Sequence, residues 1–201
     1  MSPSQARSER AAHTRKALID AARELFVANG YFSTGTEDIV ARAGVGTRGA
    51  LYHHFADKRE LFLAVFEEIQ ADLAAATRLD PHHDALDTLT SALEQFLDAS
   101  ANNRDLQQVV LIDGPAVLGW DQWRALERQH GLGAITTMLD SAVAQGVIVR
   151  QATGPLAHML LSAVDEAALY ITNSTNQQLA RRQTRASLRT LLDGLRRTNN
   201  Q

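Results

Sequence analysis

The chain has 201 residues, 45% of them hydrophobic but only 5% aromatic, with a formal net charge of −3. That length suffices for one domain or two small ones around a sizeable core, and the dominance of alanine and leucine predicts an all-α fold. The absence of cysteine excludes disulfides, thiol redox sensing and cysteine-ligated metal; Met1 to Arg10 is polar and no apolar run is long enough to span a bilayer, so a soluble cytoplasmic protein without membrane partners is expected.

Residues 1–8 read as a disordered arm, with Arg7 and Arg10 near its end. Glu9 to Asn29 reads as the first helix, because Leu18, Ala22, Leu25 and Phe26 recur at helical spacing and Gly30 ends the pattern. Tyr31 and Phe32 are expected to pack beneath the elements that follow. Thr36 is an N-cap candidate, with Glu37 and Asp38 in the first turn where carboxylates suit the helix dipole. Ile39, Val40 and Ala43 give a small apolar face, and Gly44 supplies the positive φ that stops a helix. Thr47 is placed to cap a second short helix in which Ala50, Leu51 and Phe55 face inward. Arg48, Tyr52, His53 and His54 are left outward. Two short helices joined by a tight turn make a helix-turn-helix, whose second helix lies in a DNA major groove.

Asp57 is expected to cap the next helix, with Glu60 as its capping-box partner. Leu61, Phe62, Val65, Phe66, Ile69 and Leu73 form its stripe, and it runs to about Ala76 before the Asp80-Pro81 break. Division of the charge at this point is informative. Residues 1–60 hold nine Lys/Arg and seven Asp/Glu, a net of +2, whereas residues 61–201 hold eleven and sixteen, a net of −5. The basic excess sits with the motif but is small, so geometry carries the DNA reading and charge only permits it.

Beyond Pro81 the apolar period marks further helices, about nine in all. Leu86, Leu89, Leu93, Phe96 and Leu97 define the first of them. Gln107 to Ile112 is a short apolar segment stopped by Gly114-Pro115. Gln122 to Gln145 is longer, with Trp123, Leu126, Ile135, Met138, Leu139 and Val143 inward, Gly131 and Gly133 loosening it, and Gly146 ending it. Pro155 suits a first helical position in a helix that runs to about Asn173. The last helix, Leu179 to Arg196, carries Leu188, Leu191, Leu192 and Leu195 on one face. Arg181, Arg182, Arg185 and Arg189 lie on a solvated face away from it.

Thr36-Glu37-Asp38-Ile39, Ala43-Gly44-Val45, Gly49-Ala50-Leu51-Tyr52-His53-His54-Phe55 and Lys58-Arg59-Glu60-Leu61 together resemble the TetR family of transcriptional regulators, closely over residues 10–66 and in helical layout beyond. The resemblance implies a three-helix DNA-binding domain over 1–57, with its motif at about 36–55, a connecting helix over 58–80, and a ligand-binding and dimerisation domain over 81–201. It implies DNA contacts at Thr36, Thr47, Arg48, Gly49, Tyr52, His53, His54 and Lys58. Thr47 and Arg48 stand at the end of the second motif helix that reaches base edges, while Tyr52, His53, His54 and Lys58 suit phosphates.

The resemblance also implies a homodimer on a palindromic operator. Leu188, Leu191, Leu192 and Leu195, facing Leu160, Leu161, Val164 and Ala168, are its expected interface, although the same seam serves equally as intramolecular core. An effector pocket is implied, with Phe66, Phe96, Trp120, Trp123, His130, Met138, His158 and Asp165 as candidate contacts. Asp165, a carboxylate after the apolar run Met159 to Val164, suits a cationic or hydroxylated ligand, or else pairs with an arginine. The function expected is a ligand-released repressor. The alternative is a helical small-molecule-binding or interaction protein whose DNA-binding head is vestigial; Arg48 and Lys58 argue against it. No catalysis, cofactor or metal is expected. The chain has no Gly-rich phosphate loop and no nucleophile elbow, and His82-His83-Asp84 reads as a solvated break.

Overall fold

The computed structural model describes residues 3–80 and 82–197, and among these it is all-helical, as the composition predicts. The helices are α1 (Pro3–Asn29), α2 (Thr36–Ala43), α3 (Arg48–His54), α4 (Lys58–Ala76) and α5 (Ala85–Asn102). A π-helical segment, Leu106–Asp113, then runs into α6 (Gly114–Leu118). Next, α7 (Trp120–Glu127) passes through a π-helical Arg128–Leu132 into α8 (Gly133–Ala144), and α9 (Thr153–Asn173) and α10 (Gln177–Asp193) complete the chain. Counted as uninterrupted runs these are nine among the described residues. The extended pairing found there is an isolated antiparallel bridge between Ile148 and Arg196. The chain divides into two compact units, one of residues 1–72 and 104–120, the other of 73–103 and 121–201.

In the first unit Leu18, Ala22 and Phe26 of α1, Ile39 and Val40 of α2, Leu51 and Phe55 at α3, and Leu61, Phe62, Val65, Phe66 and Ile69 of α4 form one buried core. Each large apolar side chain removed from water in this way contributes about 1.5–3 kcal/mol. The rings of Phe26, Tyr31 and Phe62 meet with centroids 5.2–5.6 Å apart. Gly30 and Gly44 end α1 and α2 with φ of +80° and +66°, conformations open to glycine at little steric cost. Asp57 Oδ1 accepts from the Glu60 N–H at 2.7 Å, and the Glu60 carboxylate reaches back to the Ala56 N–H at 2.6 Å, so α4 begins where its capping residues predict.

Four local expectations need correction. Helix α1 begins at Pro3 rather than Glu9, so the described part of the expected arm, 3–8, is helical; proline is suited to the first helical position, where its missing N–H goes unused. Phe32 is 71% exposed, because the T-shaped contact with Tyr31 leaves it outside the ring cluster. Gly35, not Thr36, is the cap of α2, and its N–H donates to the Asp38 carboxylate at 3.1 Å. Gly114-Pro115 does not stop the preceding segment: the π-helical run passes directly into α6, with proline as its second residue.

The segment 104–120 is fastened within the first unit by polar groups. The buried Asp113 carboxylate accepts from the Tyr31 N–H at 2.8 Å. Arg59 donates to the carbonyls of Val117 and Leu118 at the end of α6. Arg23 bridges Asp105 and Asp72, each at 2.6 Å.

In the second unit Leu86, Leu89, Leu93 and Leu97 of α5 share a core with Trp123, Leu126, Ile135 and Leu139. Gly131 lies in the π-helical turn predicted to be loosened; a Cβ there would lie 2.9 Å from Leu161 Cδ1, so a larger residue would make that side-chain end shift. Pro155 is the third residue of α9, not the first, and still falls among the N–H groups a helix leaves unpaired. The expected dimer seam is largely internal. Leu160, Leu161, Val164, Ala168, Leu188 and Leu192 are buried within one protomer, so these six offer a partner little surface; Leu195 is half-buried and Leu191, 63% exposed, faces outward. The arginine face is not simply solvated either. Arg185 and Arg189 converge on the buried Glu94 of α5, and Arg185 and Arg181 reach Asp98.

Candidate nucleic-acid interface

The polar face of α3 stands clear of its own support. Leu51 and Phe55 anchor the helix from below, Ala50 is half-buried, and Thr47, Arg48, Gly49, Tyr52 and His53 are exposed. Thr47 occupies the cap position with extended backbone, φ −143° and ψ 154°, but its hydroxyl makes no capping bond. Gly49 leaves the backbone bare at the second position of α3.

Arg48 Nη1 donates to Glu37 Oε1 of α2 at 2.9 Å, and its guanidinium lies 6.0 Å from the centroid of the Tyr52 ring. Arg48, then Thr36, beside the Tyr52 hydroxyl hold its phenol below the ordinary pKa. One polar network therefore joins the beginnings of α2 and α3.

His53 and His54 meet edge to face with centroids 5.2 Å apart. Burial, then the charges of His53 and Arg15, pushes the His54 imidazole below its ordinary pKa, so it is a poorer cation for a phosphate than its position suggests. Lys58 Nζ donates to the carbonyls of Tyr31 and Thr34, both at 2.9 Å, and sits 4.0 Å from the Tyr31 ring centroid. Two of its three donors thus brace the loop between α1 and α2, leaving one for an outside partner. At the start of α4 Asp57 takes the Glu60 N–H, and the Glu60 carboxylate takes the N–H of Ala56, just before the helix.

The structure disperses the candidate effector residues. Phe66 belongs to the core of the first unit, while Trp120, His130 and His158 are exposed. Phe96 and Met138 are half-buried in the second unit, Met138 along an open groove with Leu79, Thr137 and Gln145. Trp123 and Asp165 are fully buried there. Arg124 donates to Asp165 Oδ2 at 2.5 Å and lies 5.5 Å from the Trp123 ring centroid. Burial pushes the Asp165 carboxyl up to about 6, against the charge and hydrogen bond of Arg124.

Sequence reasoning missed Glu37, which it treated only as a dipole partner, and Asp113. The first had a usable signal, an acid in the opening turn of α2 with an arginine eleven residues on. The second had none, since its partner lies 82 residues away.

Comparison with known proteins bears on the whole chain. Residues 18–65 match the description "Bacterial regulatory proteins, tetR family", and residues 86–195 match "Tetracyclin repressor-like, C-terminal domain". The transposon Tn10 TetC protein of Escherichia coli is 27% identical over 135 residues, 65% of this chain and 66% of that protein. The A-factor receptor protein of Streptomyces griseus is 30% identical over 157 residues, 74% of this chain and 56% of that one. The crystal structure of a TetR-family transcriptional regulator from Pectobacterium atrosepticum superposes with a TM-score of 0.80 at 32% identity, covering 94% of this chain and 97% of the other.

Proposed function

Because the chain belongs to the TetR family of DNA-binding transcriptional regulators, we propose that it is a homodimeric repressor released from a palindromic operator by a small-molecule effector. The observation that carries the DNA side of this reading is the exposed polar face of α3, with Thr47, Arg48, Tyr52 and His53 turned outward over a buried Leu51–Phe55 anchor. In this reading residues 1–57 form the DNA-binding head, 58–80 the connecting helix and 81–201 the effector and dimer body. Residues 104–120 are the part of that body held in the same compact unit as the head.

One head buries little surface on DNA, and a dimer gains affinity by engaging two half-sites. Its surface is better drawn on the outer faces of α9 and α10 than on the leucine seam. Met159, Ala163 and Tyr170 follow one exposed stripe of α9, and Leu179, Ser187 and Leu191 follow one of α10. Two such stripes from each protomer suit a four-helix bundle.

For the effector, the buried Asp165 with Arg124 and the Trp123 ring is the polar feature of the second unit that a ligand would meet. One relative is named an A-factor receptor, which accords with a ligand-responsive body. Reversing the DNA-competent population from 99:1 to 1:99 requires about 5.5 kcal/mol of differential affinity from the effector.

The test is binding of purified protein to duplex from upstream of its own coding region, against random duplex, over a salt series. Preferential, salt-dependent binding is expected. Equal, weak binding to both duplexes and to a library of genomic fragments overturns the reading of a sequence-specific regulator.

A further inference from the structure

Glu37 is an unusual side chain to find on a surface meant for DNA. It is three-quarters exposed, and a carboxylate brought within about a Debye length, ~8–10 Å, of phosphates is repelled by them. Its bond to Arg48, also largely exposed, contributes only about 0–1 kcal/mol to stability. Stability therefore does not account for the pair, and its position suggests what it does.

Glu37 stands in the first turn of α2 and Arg48 opens α3, so the pair closes over the turn between them. An open cleft there is lined by both side chains with Val40 and Thr47, and by Gly44 and Gly46, which add nothing to fill it. Arg48 is held by Glu37 Oε1, and its guanidinium lies 6.0 Å from the centroid of the Tyr52 ring. The guanidinium is thus ordered before any DNA arrives, and less conformational freedom is lost on contact. Its other N–H groups have no hydrogen-bond partner among the described residues. The second carboxylate oxygen, Glu37 Oε2, has no hydrogen-bond partner among the described residues.

The pair therefore presents N–H donors beside a free acceptor. A G·C base pair shows the complementary pattern in the major groove: the acceptors N7 and O6 on guanine, then the N4 amino donor on cytosine. We infer that Glu37 and Arg48 act together as the reader of one G·C base pair in each half-site, Arg48 donating to guanine O6 and N7 while Glu37 Oε2 accepts from cytosine N4. The inference rests on the DNA-binding reading above and adds a base identity to it. It also assigns Glu37 an excluding role. At a pair that places thymine under the carboxylate, O4 confronts it with a second acceptor, and the unmatched negative charge disfavours that sequence.

The experiment is enrichment of duplexes from a randomised pool by purified full-length protein, run in parallel with Glu37→Gln, Glu37→Ala and Arg48→Ala. Both side chains are exposed, and matching thermal melting curves establish that each variant is folded. The wild-type motif is expected to contain one strongly preferred G·C position per half-site. Glu37→Gln should lower that preference about tenfold while the other positions keep theirs. Glu37→Ala should do the same and bind random duplex more tightly, since a negative charge has gone. Arg48→Ala should erase the same position.

A wild-type motif that survives unchanged at every position in both Glu37 variants overturns the inference and leaves the DNA-binding reading standing. Failure of the wild-type protein to enrich any sequence overturns that reading, and the inference with it.

Discussion

The buried Asp165 makes the stability of the second unit depend on pH in a direction opposite to that of most ion-paired carboxylates. Its side chain is 2% exposed, and burial raises its pKa from 3.8 to about 6 even though Arg124 donates to it at 2.5 Å. A folded-state value above the unfolded one means that the folded protein holds this proton more tightly. The contribution to stability is then fully present below pH 3.8 and is lost as pH rises through about 6. The size of the loss follows from the same rise, about 3 kcal/mol.

Asp165→Asn keeps the shape and an acceptor for Arg124 but cannot ionise. Urea unfolding of both proteins at a fixed concentration, from pH 4 to pH 7, isolates the effect as a difference. The stability of the variant relative to wild type should climb by about 2.5 kcal/mol across that range. A difference that stays flat, or that falls with rising pH, would show that Arg124 wins over burial and would refute the reasoning.

Three other substitutions test the fastenings described above. Asp113→Ala leaves the Tyr31 N–H without its acceptor in a half-buried loop, and chemical denaturation should show a loss of about 1–3 kcal/mol. Lys58→Ala should do two things at once. It frees the Tyr31 and Thr34 carbonyls, lowering the melting temperature, and it weakens binding to specific and random duplex by the same factor, because a phosphate contact fixes register without reading sequence. Leu191→Glu places a charge on the outer face of α10, and sedimentation should then give a monomer with an unchanged helical spectrum. A persistent dimer would move the interface elsewhere.

What could be read from the sequence, and what could not, divides by range. Gly30, Gly44, Gly146 and Asp57 act on their immediate neighbours, so the ends of α1 and α2, the turn after α8 and the start of α4 are legible from a few residues. The exposed face of α3 is legible for the same reason, since Leu51 and Phe55 fix the side that must be buried. Periodicity shows that Leu160, Leu161, Leu188 and Leu192 need cover, but it is silent on whether a neighbouring helix or a second protomer supplies it; here it is a neighbouring helix. Gly114-Pro115 carries a local stop signal that the first turn of α6 absorbs. Lys58, Asp113 and the arginines of α10 were misjudged or overlooked because their partners lie 24 to 95 residues away, where charge and spacing along the chain give no warning.

Ion pairs within the first unit also bear on how residues 1–60, with a net charge of only +2, meet DNA. Lys16, Arg23, Arg42 and Arg48 are each bonded to carboxylates of the same compact unit, and Lys58 is bonded to carbonyls. Cations committed in this way release few counterions from a random duplex unless they exchange partners, so attraction that ignores sequence is held down. Exchange is favourable only where the duplex satisfies both members of a pair, the freed carboxylate as well as the cation. For Arg42 and Glu24 no base edge is called for, because both lie off the α3 face and the pair simply fastens α2 to α1. For Arg48 and Glu37 the pair lies on that face, and only a base pair offering acceptors and a donor side by side completes it. On the inference above, a weakly charged head uses the Arg48–Glu37 pair as a filter, in which binding strength depends on the sequence presented more than on the density of phosphate.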